Sequence, residues 1–201
     1  METNHTQDIR FFGDSLTAGY GVPPGKDWIS ELSKRHPDIK CFNHGLCGAY
    51  LEDITDSAEF ILSGVENNSR LFFMGGTNDI LSGFKLKSVE DQLEKIIRLF
   101  GDRFSLFIGI PPLTTKLSII TGWQEECNFE RNNKDLKEYG KFLKSICSSS
   151  HIPYIDFSES FPPTDSWYTD GLHPNEKGYL RFADCAEPVL YKQFFENSYI
   201  H

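Results

Sequence analysis

A serine, a histidine and a carboxylate in hydrogen-bond contact make a nucleophile, and this chain carries candidates for all three near its two ends. Ser15 lies in Phe12-Gly13-Asp14-Ser15-Leu16. A serine hydroxyl is a poor nucleophile at neutral pH and needs a base within hydrogen-bond reach. Asp170-Gly171-Leu172-His173-Pro174 offers one. A carboxylate three residues before a histidine can reach its Nδ1–H, fix the tautomer and leave Nε2 to take the serine proton. Of the other five histidines, His5 and His201 lie at the ends, His36 follows Lys34-Arg35, and His151 sits in a polar link. His44 competes by position but has no carboxylate near it in sequence.

Two further segments offer groups that could steady a developing negative charge. In Asn43-His44-Gly45-Leu46-Cys47-Gly48, a glycine such as Gly45 lets the backbone approach a ligand and aim its N–H at an oxygen. In Gly75-Gly76-Thr77-Asn78-Asp79, the Asn78 amide can donate to an oxyanion. Taken singly, each segment also reads as a turn or a helix cap. Asp14 and Asp79 read as structural braces. The serine turn is not the G-x-S-x-G elbow, since Thr17 follows Leu16.

These residues need a scaffold, and short apolar runs supply it. Runs rich in aromatic and β-branched residues occur at 9–12, 39–43, 71–74, 104–110 and 152–157. Most are continuous, as in strands buried on both faces. Helical stripes lie between them: Trp28, Ile29 and Leu32; Leu51, Ile54, Ala58, Ile61 and Leu62; and Val89, Leu93, Ile96, Ile97 and Phe100 behind a capping box at Ser88 to Asp91. Leu136, Tyr139, Leu143, Ile146 and Cys147 make another stripe. A last helix is expected from Asn175, broken or kinked at Pro188. Alternating strands and helices predict a parallel sheet covered on both faces, in one domain over 1–201. The long connection 113–130, with Ile119-Ile120 and Trp123, is either a lid or binding wall, or a loop packed on the body.

Taken jointly, the four segments resemble the SGNH (GDSL) hydrolase family over nearly the whole chain. Ser15 falls in that family's first block, Gly45 in the second, Asn78 in the third, and Asp170 with His173 in the last. The resemblance implies a three-layer α/β/α, flavodoxin-like fold whose five-stranded parallel sheet has the order 2-1-3-4-5. It implies a Ser15–His173–Asp170 triad, with an oxyanion hole made by the Ser15 and Gly45 N–H groups and the Asn78 side chain. That order brings the first three strand ends together at the switch point where open α/β sheets bind ligands. The fifth strand then lies ~14 Å from the first at ~4.8 Å per strand, a gap that the chain from Ser158 to His173 can span at ~3.3 Å per residue.

The expected reaction is hydrolysis of a carboxylic acyl ester of the short- or medium-chain esterase, lysophospholipase or thioesterase kind, on a small-molecule substrate, with no metal or organic cofactor. Acetylated sugars are the alternative within the same mechanism. A flavodoxin-like module binding a small anionic ligand at the first turn is the alternative of another class, though the turn is no P-loop and lacks G-x-G-x-x-G. The net charge of −9 opposes a nucleic-acid partner, and no apolar run approaches the length of a spanning helix. The polar start, with no signal-like apolar core, points to a cytoplasmic protein. The five cysteines read as reduced apolar fillers, with a cysteine nucleophile disfavoured. Oligomeric state is not legible.

Overall fold

The computed structural model describes residues 8–65 and 69–191. His5 and His201 lie outside the described residues, as does the polar start up to residue 7. The chain runs β1 (Asp8–Gly13), α1 (Ser15–Ala18), α2 (Trp28–Arg35), β2 (Lys40–Gly45), α3 (Leu51–Leu62) and β3 (Arg70–Met74). It continues through α4 (Thr77–Leu81), α5 (Leu86–Phe100), β4 (Ser105–Ile110), α6 (Leu117–Ile120) and α7 (Glu126–Ser149). β5 (Tyr154–Asp156), α8 (Phe157–Ser160) and α9 (Glu176–Leu190) complete it. The five strands are parallel, in the order β2-β1-β3-β4-β5.

The continuous apolar strands bury both faces, as a covered parallel sheet requires. Phe12, Leu71, Phe73, Leu106, Ile108 and Ile110 join the core under α3, α5 and α7. Ile9, Phe11, Phe72, Met74 and Phe107 point the other way, into the core with α2 and α9. At the centre of the second core sits Trp28, fully buried, in edge contact with Phe11 and Phe72 at 5.2 Å each. Its Nε1–H donates to the Leu16 carbonyl at 3.1 Å, so one core side chain also anchors the turn that carries Ser15.

Several elements depart from their sequence patterns, each for a local reason. The expected capping box at Ser88 is absent: α5 starts at Leu86 after Lys85, because Leu86 already packs on the core. α7 begins ten residues before the apolar stripe, since Asn132 and Asn133 occupy its buried positions. Asn133 holds Thr114 through N–H···Oδ1 at 3.0 Å and Nδ2···Oγ1 at 2.9 Å. Asn132 and Gln124 extend this network to Ser118. The connection 113–130 is therefore not one loop; it holds α6 and the first turn of α7, fastened by buried amides. Pro188 does not break α9, which runs to Leu190. Arg35 bridges Asp184 and Glu187 at 2.9 and 2.8 Å on the turn that the proline leaves one hydrogen bond short. Cysteine as apolar filler holds for buried Cys147, but Cys47 and Cys127 are exposed. No helix of the described residues is long and apolar enough to cross a membrane.

Replacing Trp28 by alanine empties the middle of the second core and releases Leu16. The expected cost is ~3–5 kcal/mol, read as a lower urea midpoint at unchanged slope. A loss under ~1 kcal/mol would show that this core does not hold the turn.

Candidate active site

The register of the sheet levels three strand ends. Gly13 pairs with Gly45 of β2 on one side and with Met74 of β3 on the other. Only glycine fits at 13, since a Cβ there would lie 2.1 Å from Thr17 Oγ1 and 2.4 Å from the Met74 carbonyl oxygen. The chain leaves β1 directly into α1. Asp14 caps that turn, its Oδ1 accepting the Leu16 N–H at 2.9 Å. Ser15 is thus the first residue of a tight turn whose backbone is held at both ends.

The loop after β5 brings the remaining partners from 158 residues away. His173 Nε2 lies 2.9 Å from Ser15 Oγ, and His173 Nδ1 lies 2.8 Å from Asp170 Oδ2. The other oxygen of Asp170 accepts the backbone N–H groups of Leu172 and His173 at 3.0 and 2.8 Å, which fixes the carboxylate against its own loop. Burial alone would push the Asp170 carboxyl up. The His173 side chain and these N–H donors outweigh it, so the group sits below its ordinary value and stays ionised. Ser15 and His173 are buried, and Asp170 is half-buried.

His44 does not join them. It lies on β2 stacked against Phe12 at 4.8 Å, with burial and then Arg10 lowering its pKa. His36 stacks on Tyr191 and meets Glu187 at 2.6 Å, while His151 lies exposed in the turn that follows α7.

Asn78 is the second residue of α4, and its Nδ2 donates to the Ala49 carbonyl at 2.9 Å. An amide NH2 has two hydrogens, so the second remains for another acceptor. Gly45 is placed differently from expectation: it is the last residue of β2 rather than part of a turn after it, and its N–H donates to Asn43 Oδ1 at 2.9 Å. That N–H is already used. Gly48 lies in the turn that follows, at φ +78°, a conformation that favours glycine. Leu46 N–H donates to the Gly13 carbonyl at 2.8 Å, and Ala49 N–H to Leu46 at 3.2 Å, so the turn is locked beside the serine strand. Among the described residues the Gly48 N–H donates to no protein acceptor. Ser15, at a helix start, has no acceptor for its N–H within the helix. Gly48 is the residue that the sequence reading passed over. Its signal was the second glycine of Asn43-x-Gly45-x-x-Gly48, placed where a chain leaving a strand must turn.

Several buried polar atoms on the segments that carry Ser15 and Asn78, and on α7, are left without partners. Asp14 Oδ2, Thr17 Oγ1, Thr77 Oγ1 and Tyr139 Oη meet no protein hydrogen-bond partner. Burial, opposed by the Leu16 N–H and reinforced by the Asp79 charge, raises the Asp14 carboxyl to about 7. Asp79 is buried too and accepts the Leu51 N–H at 3.2 Å, so both aspartates brace the strand ends. Among the described residues no group of three or more His, Cys, Asp or Glu side chains is arranged to hold a metal ion.

A sequence model of the GDSL-like Lipase/Acylhydrolase family matches residues 11–181. The chain belongs to that family, a family of hydrolases. Among solved structures, it is similar to a lipolytic protein of the G-D-S-L family from Veillonella parvula DSM 2008. That likeness has 27% identity and a TM-score of 0.80 over 92% of this chain and 99% of that one. It also resembles a lipase/acylhydrolase from Enterococcus faecalis, at 22% identity and TM-score 0.70 over 91% and 95% of the two chains. A variant of an acetyl-xylooligosaccharide esterase from Geobacillus Stearmophilus shares the fold at 16% identity and TM-score 0.73 over 94% and 96%. No curated protein matches the chain by sequence.

The position of Asp14 sets a pH test. Its carboxyl is raised from 3.8 to about 7 in the folded state, so folding holds a proton that the unfolded chain gives up. Stability is therefore lost as pH climbs from the ordinary carboxylate range through about 7. Asp14→Asn removes this loss. Its stability relative to the parent should rise between pH 4 and 8, by at most ~4 kcal/mol at ~1.36 kcal/mol per pKa unit. A difference that stays constant across that range in urea titrations would refute the assignment.

Proposed function

We propose that this member of the GDSL family is a serine ester hydrolase that cleaves carboxylic acyl esters through Ser15, His173 and Asp170. The observation that carries the reading is the continuous hydrogen-bond chain Ser15 Oγ–His173 Nε2 and His173 Nδ1–Asp170 Oδ2, at 2.9 and 2.8 Å, at the carboxyl end of a parallel sheet. Ser15 Oγ attacks the ester carbonyl carbon while its proton passes to His173 Nε2, and Asp170 stabilises the resulting imidazolium. The tetrahedral oxyanion is held by the Ser15 N–H, the Gly48 N–H and the second amide hydrogen of Asn78. His173 then hands the proton to the departing alcohol oxygen as the carbonyl–oxygen bond breaks. Water repeats the sequence on the acyl-serine and releases the acid.

The assignment of Gly48, in place of Gly45, to the oxyanion follows from which N–H is free. Asn78 gains its aim from the Ala49 carbonyl, one residue beyond Gly48, so both donors are referenced to one locked turn. The substrate is a small-molecule acyl ester.

A fluorophosphonate probe tests the nucleophile. The parent protein should take one label, and Ser15→Ala with an unchanged melting temperature should take none. Labelling that survives in Ser15→Ala removes Ser15 from the mechanism. Asn78→Ala should keep labelling competence but lower kcat on 4-nitrophenyl acetate by ~10²–10³, the range for loss of one oxyanion donor. A fall below threefold would mean that the amide does not face the oxyanion.

A further inference from the structure

His173 is only 1% exposed, and aromatic rings cover it. The Tyr20 ring lies 4.4 Å from the imidazole, and Trp123 meets it edge-on at 4.7 Å. Tyr20 and Trp123 also meet each other at 5.9 Å and 85°, forming a right-angled corner. Unlike the histidine they cover, the two rings remain 44% and 41% exposed. Among the described residues no Lys or Arg stacks on either ring.

The corner is built into the site rather than hung over it. Tyr20 follows α1; its N–H donates to the Ser15 carbonyl at 3.0 Å, and its own carbonyl accepts the Tyr179 hydroxyl at 3.0 Å. Trp123 closes the turn after α6, its N–H donating to the Ser118 carbonyl at 2.9 Å. The segment around α6 is tied to the loop of Asp170 and His173 twice, before the helix by Thr115 N–H to the Gly171 carbonyl at 2.8 Å and after it by Thr121 Oγ1 to the Asp170 carbonyl at 2.7 Å. Rings, histidine and serine share one frame.

The chemistry says which part of a substrate meets this corner, given the triad reading on which the inference rests. The proton that leaves Ser15 Oγ goes to His173 Nε2 and from there to the alcohol oxygen as the ester C–O bond breaks. The alcohol therefore departs against His173, with the oxyanion donors of Gly48 and Asn78 serving the carbonyl. The side chains around His173 are what the rest of the alcohol touches. Two perpendicular neutral rings offer a face for stacking and an edge for a second contact, which suits a flat or chair-shaped ring better than a flexible chain. We propose that Tyr20 and Trp123 form a leaving-group subsite that selects esters whose alcohol carries an uncharged six-membered ring, as in a glycoside or a phenol, over esters of simple aliphatic alcohols.

The test fixes the acyl group and varies the alcohol. Values of kcat/KM for ethyl acetate, phenyl acetate and an O-acetylated methyl β-xyloside are measured for the parent, Trp123→Ala, Tyr20→Ala and Trp123→Phe. Intrinsic reactivity cancels, because each ester is compared between enzyme forms. For at least one ring-bearing ester, Trp123→Ala and Tyr20→Ala should each cost about fivefold to tenfold more than they cost on ethyl acetate, chiefly through KM. Trp123→Phe should restore most of that difference. A response confined to the xyloside identifies a glycosyl alcohol, and one confined to phenyl acetate an aryl alcohol; either supports the subsite. An equal loss on all three esters overturns it, leaving the rings as a roof for His173. A changed preference between acetate and hexanoate of one alcohol, without the alcohol effect, also overturns it by moving the rings to the acyl side. Absence of fluorophosphonate label on Ser15 in the parent would instead sink the triad reading beneath the proposal.

Discussion

Three parallel strands that end level at Gly13 are the constraint on which the site depends. Pairing of Gly13 with Gly45 and with Met74 means that whatever follows each strand emerges at one height along one edge of the sheet. Ser15, Gly48 and Asn78 are each two to four residues past that line, too few for a chain to wander. Gly13, where a Cβ would strike Thr17 and the Met74 carbonyl, lets the serine turn pack closely against the end of β3. Register thus does the positioning that a longer, looser loop could not.

Such closeness has an energetic cost, which is met locally. Two carboxylates, Asp14 and Asp79, are buried behind the strand ends. Each accepts a backbone N–H from the turn it braces, Asp14 from Leu16 and Asp79 from Leu51. These bonds oppose desolvation without cancelling it, and Asp14 remains raised to about 7. Asp170 is the contrasting case: a half-buried carboxylate with three donors stays below its ordinary value. The same residue type is tuned in opposite directions, first by how deeply it is buried and then by the hydrogen bonds and the histidine that favour its charge, and only Asp170 is placed against the histidine.

The fold was legible because its strands are continuous apolar runs, and strand order followed from family resemblance rather than from the runs themselves. Ser15, His173, Asp170 and Asn78 were nameable from three short motifs. Gly48 was not singled out, because whether a backbone N–H is free depends on where β2 stops and on what Asn43 does, and neither leaves a residue-type signature. The first turns of α7 were hidden for a related reason. Asn132 and Asn133 fill buried positions with amides, so the apolar period fades where the polar network begins. Tyr20 and Trp123 are far apart in sequence, and only the closed site shows that they share a corner over His173.

The central claim is that the acyl group passes through Ser15, and trapping the intermediate tests it most directly. The parent protein is mixed with a 4-nitrophenyl ester, quenched in acid within the first turnover, and analysed by intact and peptide mass spectrometry. One added acyl group on the peptide that contains Ser15 is the predicted result. An acyl group on Cys47 or His44 instead, or nitrophenol release with no acylated protein at any quench time, would contradict it.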